Sequence, residues 1–185
     1  AGEITEIRRK YKSWESFHKS FVDAATPESD ESIDQERKRI ASLEADHEAW
    51  FKYYFPKYAS SEPALFHKKA STRFINNNRW YEVRSWSRGF AKSTRTMFEV
   101  LYLALTGKAK NILLVSYSWE NATRLLMPYM INLEHNKRIE NDYGKQMTPG
   151  KWLTGEFTTI PGVSFTAVGA GQSPRGAKKE ERRPD

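Results

Sequence analysis

Apolar residues recur every three or four positions over the first third of the chain. Ile4, Ile7, Tyr11, Trp14, Phe17 and Phe21 share one helical face, with Arg8, Arg9, Lys10 and Lys12 mostly between them. Pro27 and the polar run Glu28-Ser29-Asp30-Glu31 end that pattern. Ser32 and Gln35 then have the spacing of a capping box, in which each side chain satisfies the other residue's free backbone N–H. Behind them Ile33, Ile40, Leu43, His47, Trp50 and Tyr54 repeat at nearly heptad intervals up to Pro56. The two predicted helices would pack as an antiparallel hairpin or against the core that follows. His47, on the apolar stripe, reads as a satisfied interfacial histidine rather than a ligand.

A third helix is predicted from Pro63, carrying Leu65, Phe66, Phe74 and Ile75 and ending at Asn76-Asn77-Asn78. Trp80 to Ser85 is a candidate strand whose Glu82 and Arg84 alternate with Tyr81 and Val83, so one face would be exposed. Ser93 to Leu105 reads as a helix through Met97, Val100, Leu101 and Leu105, with Gly107 suited to its C-terminal cap. Asn111 to Ser116 reads as a buried strand. Ser118 can cap the next helix, marked by Ala122, Leu125, Leu126, Tyr129, Met130 and Leu133, and Pro128 should kink it or split it. Residues 137–150 read as loop. From Lys151 to Gly171 the period changes: Phe157 and Thr159, then Val163, Phe165 and Ala167, flank Pro161-Gly162 as a β-hairpin whose second arm enters the core sheet. The sum is an α/β fold with a mainly parallel sheet flanked by helices. An N-terminal helical segment (residues 1–60) precedes the sheet domain (61–185).

Composition narrows the partners. The 185 residues can bury one good core, and 14% aromatic content favours packing over a disordered basic tail. A net charge of +7 and a pI near 9.5 point to a polyanionic partner: nucleic acid, a nucleotide or an anionic surface. With no cysteine, disulfides, zinc-thiolate sites and a thiol nucleophile are excluded. The four histidines, His18, His47, His67 and His135, show no metal-ligand spacing. No apolar run approaches the roughly 20 residues that a membrane helix needs.

The chemistry concentrates in Ser87-Arg88-Gly89-Phe90-Ala91-Lys92-Ser93-Thr94. Small residues let successive backbone N–H groups point inward, a lysine reaches the β- and γ-phosphates, and a hydroxyl holds Mg²⁺ at a helix start. The strict G-x-x-x-x-G-K-[ST] pattern is not met: Trp86 stands at the first glycine position and Ala91 at the second. Read on these residues alone, the stretch is either a phosphate-binding loop or a plain loop before an amphipathic helix, with Lys92 and Arg95 on its solvated face. A small-molecule kinase would need a lid and an acceptor site, and neither is visible. A basic, helical nucleic-acid-binding module without catalysis stays open.

Several landmarks together resemble the large terminase subunits of tailed bacteriophages. Trp86 to Thr94 is similar to their deviant Walker A loop, which keeps an arginine and the Lys-Ser/Thr but often lacks the glycines. Trp50-Phe-Lys-Tyr-Tyr-Phe-Pro56 and Phe66-His67 look like the lead-in to that ATPase domain, and Ile112 to Ser116 like its next strand. Gly169-Ala-Gly-Gln-Ser-Pro-Arg-Gly176 with Arg183-Pro184-Asp185 is similar to the segment before Walker B. The likeness spans about residues 50 to 185; residues 1–45 carry none.

The resemblance implies a P-loop NTPase fold of the ASCE type and an ATPase that binds ATP and Mg²⁺ to drive double-stranded DNA into a procapsid. It implies that the backbone of Gly89 to Lys92 cradles the β-phosphate, with Ser87 and Phe90 in the same loop. Lys92 would bridge the β- and γ-phosphates, Ser93 would ligate Mg²⁺, and Thr94 would reach the α-phosphate. Arg88 would act as an arginine finger in cis. Implied partners are the portal protein, the small terminase subunit and copies of the chain in a ring, in the host cytoplasm and with no membrane. The basic cluster Lys178, Lys179, Arg182 and Arg183 is one candidate DNA contact. In that family an apolar strand ending in acidic residues follows the Arg-Pro-Asp, and then a nuclease domain. The sequence stops at Asp185, so the expectation is the N-terminal part of a longer motor, weak in hydrolysis by itself. A helicase-type P-loop ATPase is the nearest alternative.

Overall fold

A computed structural model describes residues 12–13, 16, 19–20, 22–23, 25–27 and 30–171. The helix read over residues 4–22 lies largely outside the described residues, as do the stretch from Gln172 onward, the Arg183-Pro184-Asp185 landmark and the Lys178 to Arg183 cluster.

The capping box forms: Ser32 N–H donates to Gln35 Oε1 at 2.9 Å and Gln35 N–H to Ser32 Oγ at 3.3 Å. It opens α1 (Ile33–Ala45). The stripe predicted as one helix breaks at Asp46, whose side chain accepts the N–H groups of Glu48 and Ala49 and so starts α2 (His47–Tyr54). Helix α3 (Leu65–Asn76) follows, then α4 (Lys92–Leu105), closed by Gly107 at φ 73° as its sequence suggested. Strand β1 (Asn111–Ser116) leads to α5 (Trp119–His135), and Pro128 does not split that helix. Residues 137–150, read as loop, hold α6 (Lys137–Tyr143) and most of β2 (Met147–Leu153). Strands β3 (Glu156–Thr159) and β4 (Ser164–Gly169) complete a four-stranded sheet in the order β1-β4-β3-β2.

The fold is α/β, but the sheet is mixed rather than mainly parallel. Only β1 and β4 pair in parallel; β4–β3 and β3–β2 are antiparallel. The connections explain this. Short turns at Thr154-Gly155 and around Pro161-Gly162 fold each strand back on its neighbour, whereas β1 and β4 are separated by a crossover containing α5. The strand predicted over Trp80 to Ser85 does not form; the segment runs irregularly beside α4 without a sheet partner. Strand β1 is an edge strand among the described residues, and Val115 is 63% exposed in a sequence that reads as fully buried.

One aromatic-rich core joins the helices and the sheet. Trp50, Phe51, Tyr54 and Phe55 of and just after α2 lie in the same buried cluster as Phe98, Leu101 and Tyr102 of α4, Leu126 of α5, and Phe157 and Phe165 of the sheet. Phe55 stacks on Phe98 with ring centroids 4.8 Å apart, and Phe157 on Phe165 at the same distance. At roughly 1.5–3 kcal/mol per large side chain removed from water, this cluster is the main stabilising element. His47 sits at its rim, edge-on to Phe51, and is not the satisfied residue expected: its Nε2 is buried with no hydrogen bond. Burial therefore holds its pKa below the ordinary histidine value and keeps it neutral.

Candidate functional site

The stretch Ser87 to Thr94 forms a tight surface loop leading directly into α4. Phe90 N–H reaches back to Ser87 O at 3.4 Å, with Gly89 at φ 92° inside the turn. Ala91 then adopts φ 49°, ψ 28°, the left-handed region, and is the one non-glycine residue at positive φ among the described residues. Ala91 O accepts the first helical bond, from Arg95 N–H at 2.8 Å. No side chain caps this end of the helix. The opening N–H groups of a 14-residue helix thus face an exposed loop, together with the positive end of its dipole.

Lys92 and Ser93 occupy the first two helical positions and both are exposed, while Thr94 is half-buried. The Lys92 ammonium folds back over the loop and donates to Trp86 O at 3.0 Å. Ser87 and Phe90 are exposed with it. Arg88 is exposed too, and among the described residues no ion pair holds it. The structure therefore brings all eight predicted residues together on one turn. Lys92 overhangs the turn, and the exposed Ser93 follows it at the second position of the helix.

A cavity of about 490 Å³ opens next to the turn. The loop contributes Gly89, Phe90, Ala91 and Thr94; its other walls include Phe51, Tyr58, Pro63 and His67. Asp46, Glu48 and Glu62 stand in the same wall as Lys52, Lys68 and Arg95, so the hollow joins apolar rings to charges of both signs. A second cavity of about 440 Å³, between Lys110, Lys151 and the β3 region, lies away from the predicted residues.

Beneath the loop, charged side chains are buried in pairs. Arg95, expected on a solvated face, is 6% exposed: its Nε donates to Ser71 Oγ at 2.8 Å, it pairs with Glu48, and its guanidinium lies 4.9 Å over Phe51. Glu99 is fully buried and accepts from Ser71 Oγ and, at 2.7 Å, from Arg84 Nη1. Burial pushes the Glu99 carboxyl above its usual range, and the bonds from Arg84 and Ser71 pull it back without cancelling that rise. Arg84 also bonds Glu82 at 3.0 Å and stacks over Phe74 and Trp86, at 5.5 and 5.3 Å. The irregular segment that feeds the loop is thus tied to α4 by the Arg84–Glu99 ion pair, and to α3 by Arg73–Glu82, rather than by a strand ladder. That inverts its alternation: Glu82 and Arg84 point in, while Tyr81 and Val83 are 89% and 75% exposed.

Sequence reasoning did not single out His67 for the site. His67 Nδ1 accepts the Ala64 N–H at 3.2 Å at the start of α3, which places its proton on Nε2; Nε2 lies 3.1 Å from Phe90 O in the loop. Its ring packs edge-on to Trp86 at 5.1 Å, and Phe66 packs against both Trp86 and Phe90. The available signal was an aromatic pair three residues into a helix, which does not distinguish a core position from a loop contact. Glu99 did carry a signal: a carboxylate inside the apolar run Met97 to Leu105 needs a buried partner.

Compared with protein-family models, with curated proteins and with solved structures, the chain matches none. Among the described residues no group of three or more metal-ligating side chains forms, and no helix is long and apolar enough to cross a membrane.

Proposed function

We propose that the chain binds ATP with Mg²⁺ at the Ser87 to Thr94 turn, as the ATPase part of a DNA-packaging motor of the terminase large-subunit type, on a P-loop NTPase fold. The observation that carries the reading is the turn itself. Gly89 and Ala91 both hold positive φ, Lys92 overhangs the loop, and an uncapped 14-residue helix starts at that point beside an open cavity. A turn serving only to connect two elements needs neither the left-handed alanine nor an uncapped helix end.

In this reading the loop amides and the start of α4 hold the β-phosphate, Lys92 leaves Trp86 O to bridge the β- and γ-phosphates, and Ser93 ligates Mg²⁺. Thr94 reaches the α-phosphate, and the cavity takes the base. When bound, the metal neutralises charge on the phosphate oxygens. Arg88 would approach the γ-phosphoryl group as its charge develops, a contribution worth about 10³–10⁵ in rate where such arginines act. Exposed Lys68, Lys69, Arg73 and Arg79 lie on and after α3 and add positive surface for sequence-independent phosphate contacts.

Equilibrium titration with a fluorescent ATP analogue and Mg²⁺ tests the site. The wild-type chain binds, Lys92→Ala loses at least tenfold in affinity, and Arg88→Ala keeps affinity within about threefold because its work lies in turnover. Unchanged affinity in Lys92→Ala overturns the assignment.

A further inference from the structure

The bond from His67 to the loop falls on the peptide that decides the loop's polarity. Phe90 O is the acceptor, and the same peptide supplies the Ala91 N–H. No cis peptide occurs among the described residues, so this unit is trans and its C=O and N–H point in opposite directions. Committing Phe90 O to His67 therefore aims the Ala91 N–H away from α3. Rotating the peptide by half a turn would do two things at once. It would swing a carbonyl oxygen to where an amide hydrogen now points, and it would release Ala91 from φ 49° toward the ordinary negative range. That release is favourable for a residue with a Cβ. A neutral hydrogen bond contributes a net amount of the same order.

We infer that His67 is a positioning residue: its Nε2–H holds the Phe90–Ala91 peptide in the strained, anion-accepting orientation. This deepens the nucleotide reading above and rests on it for the identity of the anion, although the peptide orientation itself does not. The two nitrogens of His67 serve different ends, and two substitutions separate them. Glutamine presents an oxygen and an N–H about as far apart as the imidazole nitrogens, so it can accept from Ala64 and donate to Phe90. Glutamate keeps the acceptor at the third helical position, where capping boxes favour it, and has nothing to donate.

Three variants of the full chain are compared: His67→Gln, His67→Glu, and His67→Glu combined with Ala91→Gly. Backbone ¹³C shifts at residue 91 of the single variants, taken without nucleotide, report whether Ala91 stays left-handed. It stays in His67→Gln and leaves in His67→Glu; retention in His67→Glu overturns the inference. Titration with the fluorescent Mg-ATP analogue gives affinity within about threefold of wild type for His67→Gln and at least tenfold weaker for His67→Glu. Ala91→Gly, which removes the strain, restores the double variant to within about threefold. Simple charge repulsion by the new carboxylate would not be relieved by a glycine at position 91, so a loss that persists in the double variant counts against the positioning role. If the wild-type chain binds no nucleotide, the proposed function fails, and the ¹³C shifts still decide the role of His67.

Discussion

Ala91 stands where a phosphate loop ordinarily carries glycine, and its backbone adopts the conformation for which glycine is used. An L-residue with a Cβ gives up about 1–2 kcal/mol there, and glycine returns roughly 0.5–1 kcal/mol of that through its freer unfolded chain. Ala91→Gly is therefore expected to raise unfolding free energy by about 0.5–1 kcal/mol, measured by urea titration; a loss of stability would contradict the left-handed assignment. The spacing of Lys92, Ser93 and Thr94 was legible in the sequence because it is local. Arg95 was not. It sits one residue past the motif and looked like part of a solvated face, yet its partners are Glu48 and Ser71, distant in sequence and invisible to any periodicity.

At the scale of elements, legibility followed the strength of the apolar period. Helices α4 and α5, each with many buried residues, were read correctly, whereas α6 buries only Ile139 and offered no pattern. Strand β2 was hidden by Pro149 and Gly150, which signal a turn. They are tolerated because β2 is the edge strand and its register shifts between Met147 and Trp152. The β3–β4 pairing was read as a hairpin around Pro161-Gly162, and the second antiparallel pairing, β2–β3, was missed with β2. Gly169, quoted only as the start of a loop landmark, ends β4 beneath the first residues of α5: a Cβ there would lie 2.4 Å from Trp119 N. That neighbour is backbone and cannot rotate away. Gly169→Ala is expected to cost about 1–3 kcal/mol in thermal unfolding, and a stability equal to wild type would mean that α5 sits farther from β4 than described.

For the molecule as a whole, the parts are not held with equal strength. The aromatic core ties α2, α4, α5 and the sheet together, but α1 contains no buried residue, and Ile33 at its start is 69% exposed. Polar contacts hold α1 down: Arg39 bridges Glu31 and Asp142 at 2.8 and 2.6 Å, Tyr54 Oη donates to the same Asp142 at 2.6 Å, and Tyr102 Oη donates to Glu44 O at 2.6 Å. Burial alone would raise the Asp142 carboxyl, but the bonds from Arg39, Tyr54 and Asn141 outweigh it and hold the pKa below the usual value. A carboxylate depressed in this way adds stability that is complete above its unfolded pKa, about 3.9. That stability drains away as pH falls through the lower folded value. Asp142→Asn should mimic the acid state at neutral pH, costing about 1–3 kcal/mol because Arg39 keeps Glu31 but loses the second of its two carboxylates, as read from denaturant unfolding.

The pin and the core are different materials, and they answer acid through different groups. Protonating the Asp142 carboxyl group unlatches a helix that sets only Leu43 against the core, whereas the rings beneath meet acid at their rim, through the neutral His47. Loss of the Asp142 pin is then a peeling rather than a collapse. Brief digestion with an acid-tolerant protease below about pH 4 should shorten the chain to near Asp46 and leave the rest intact.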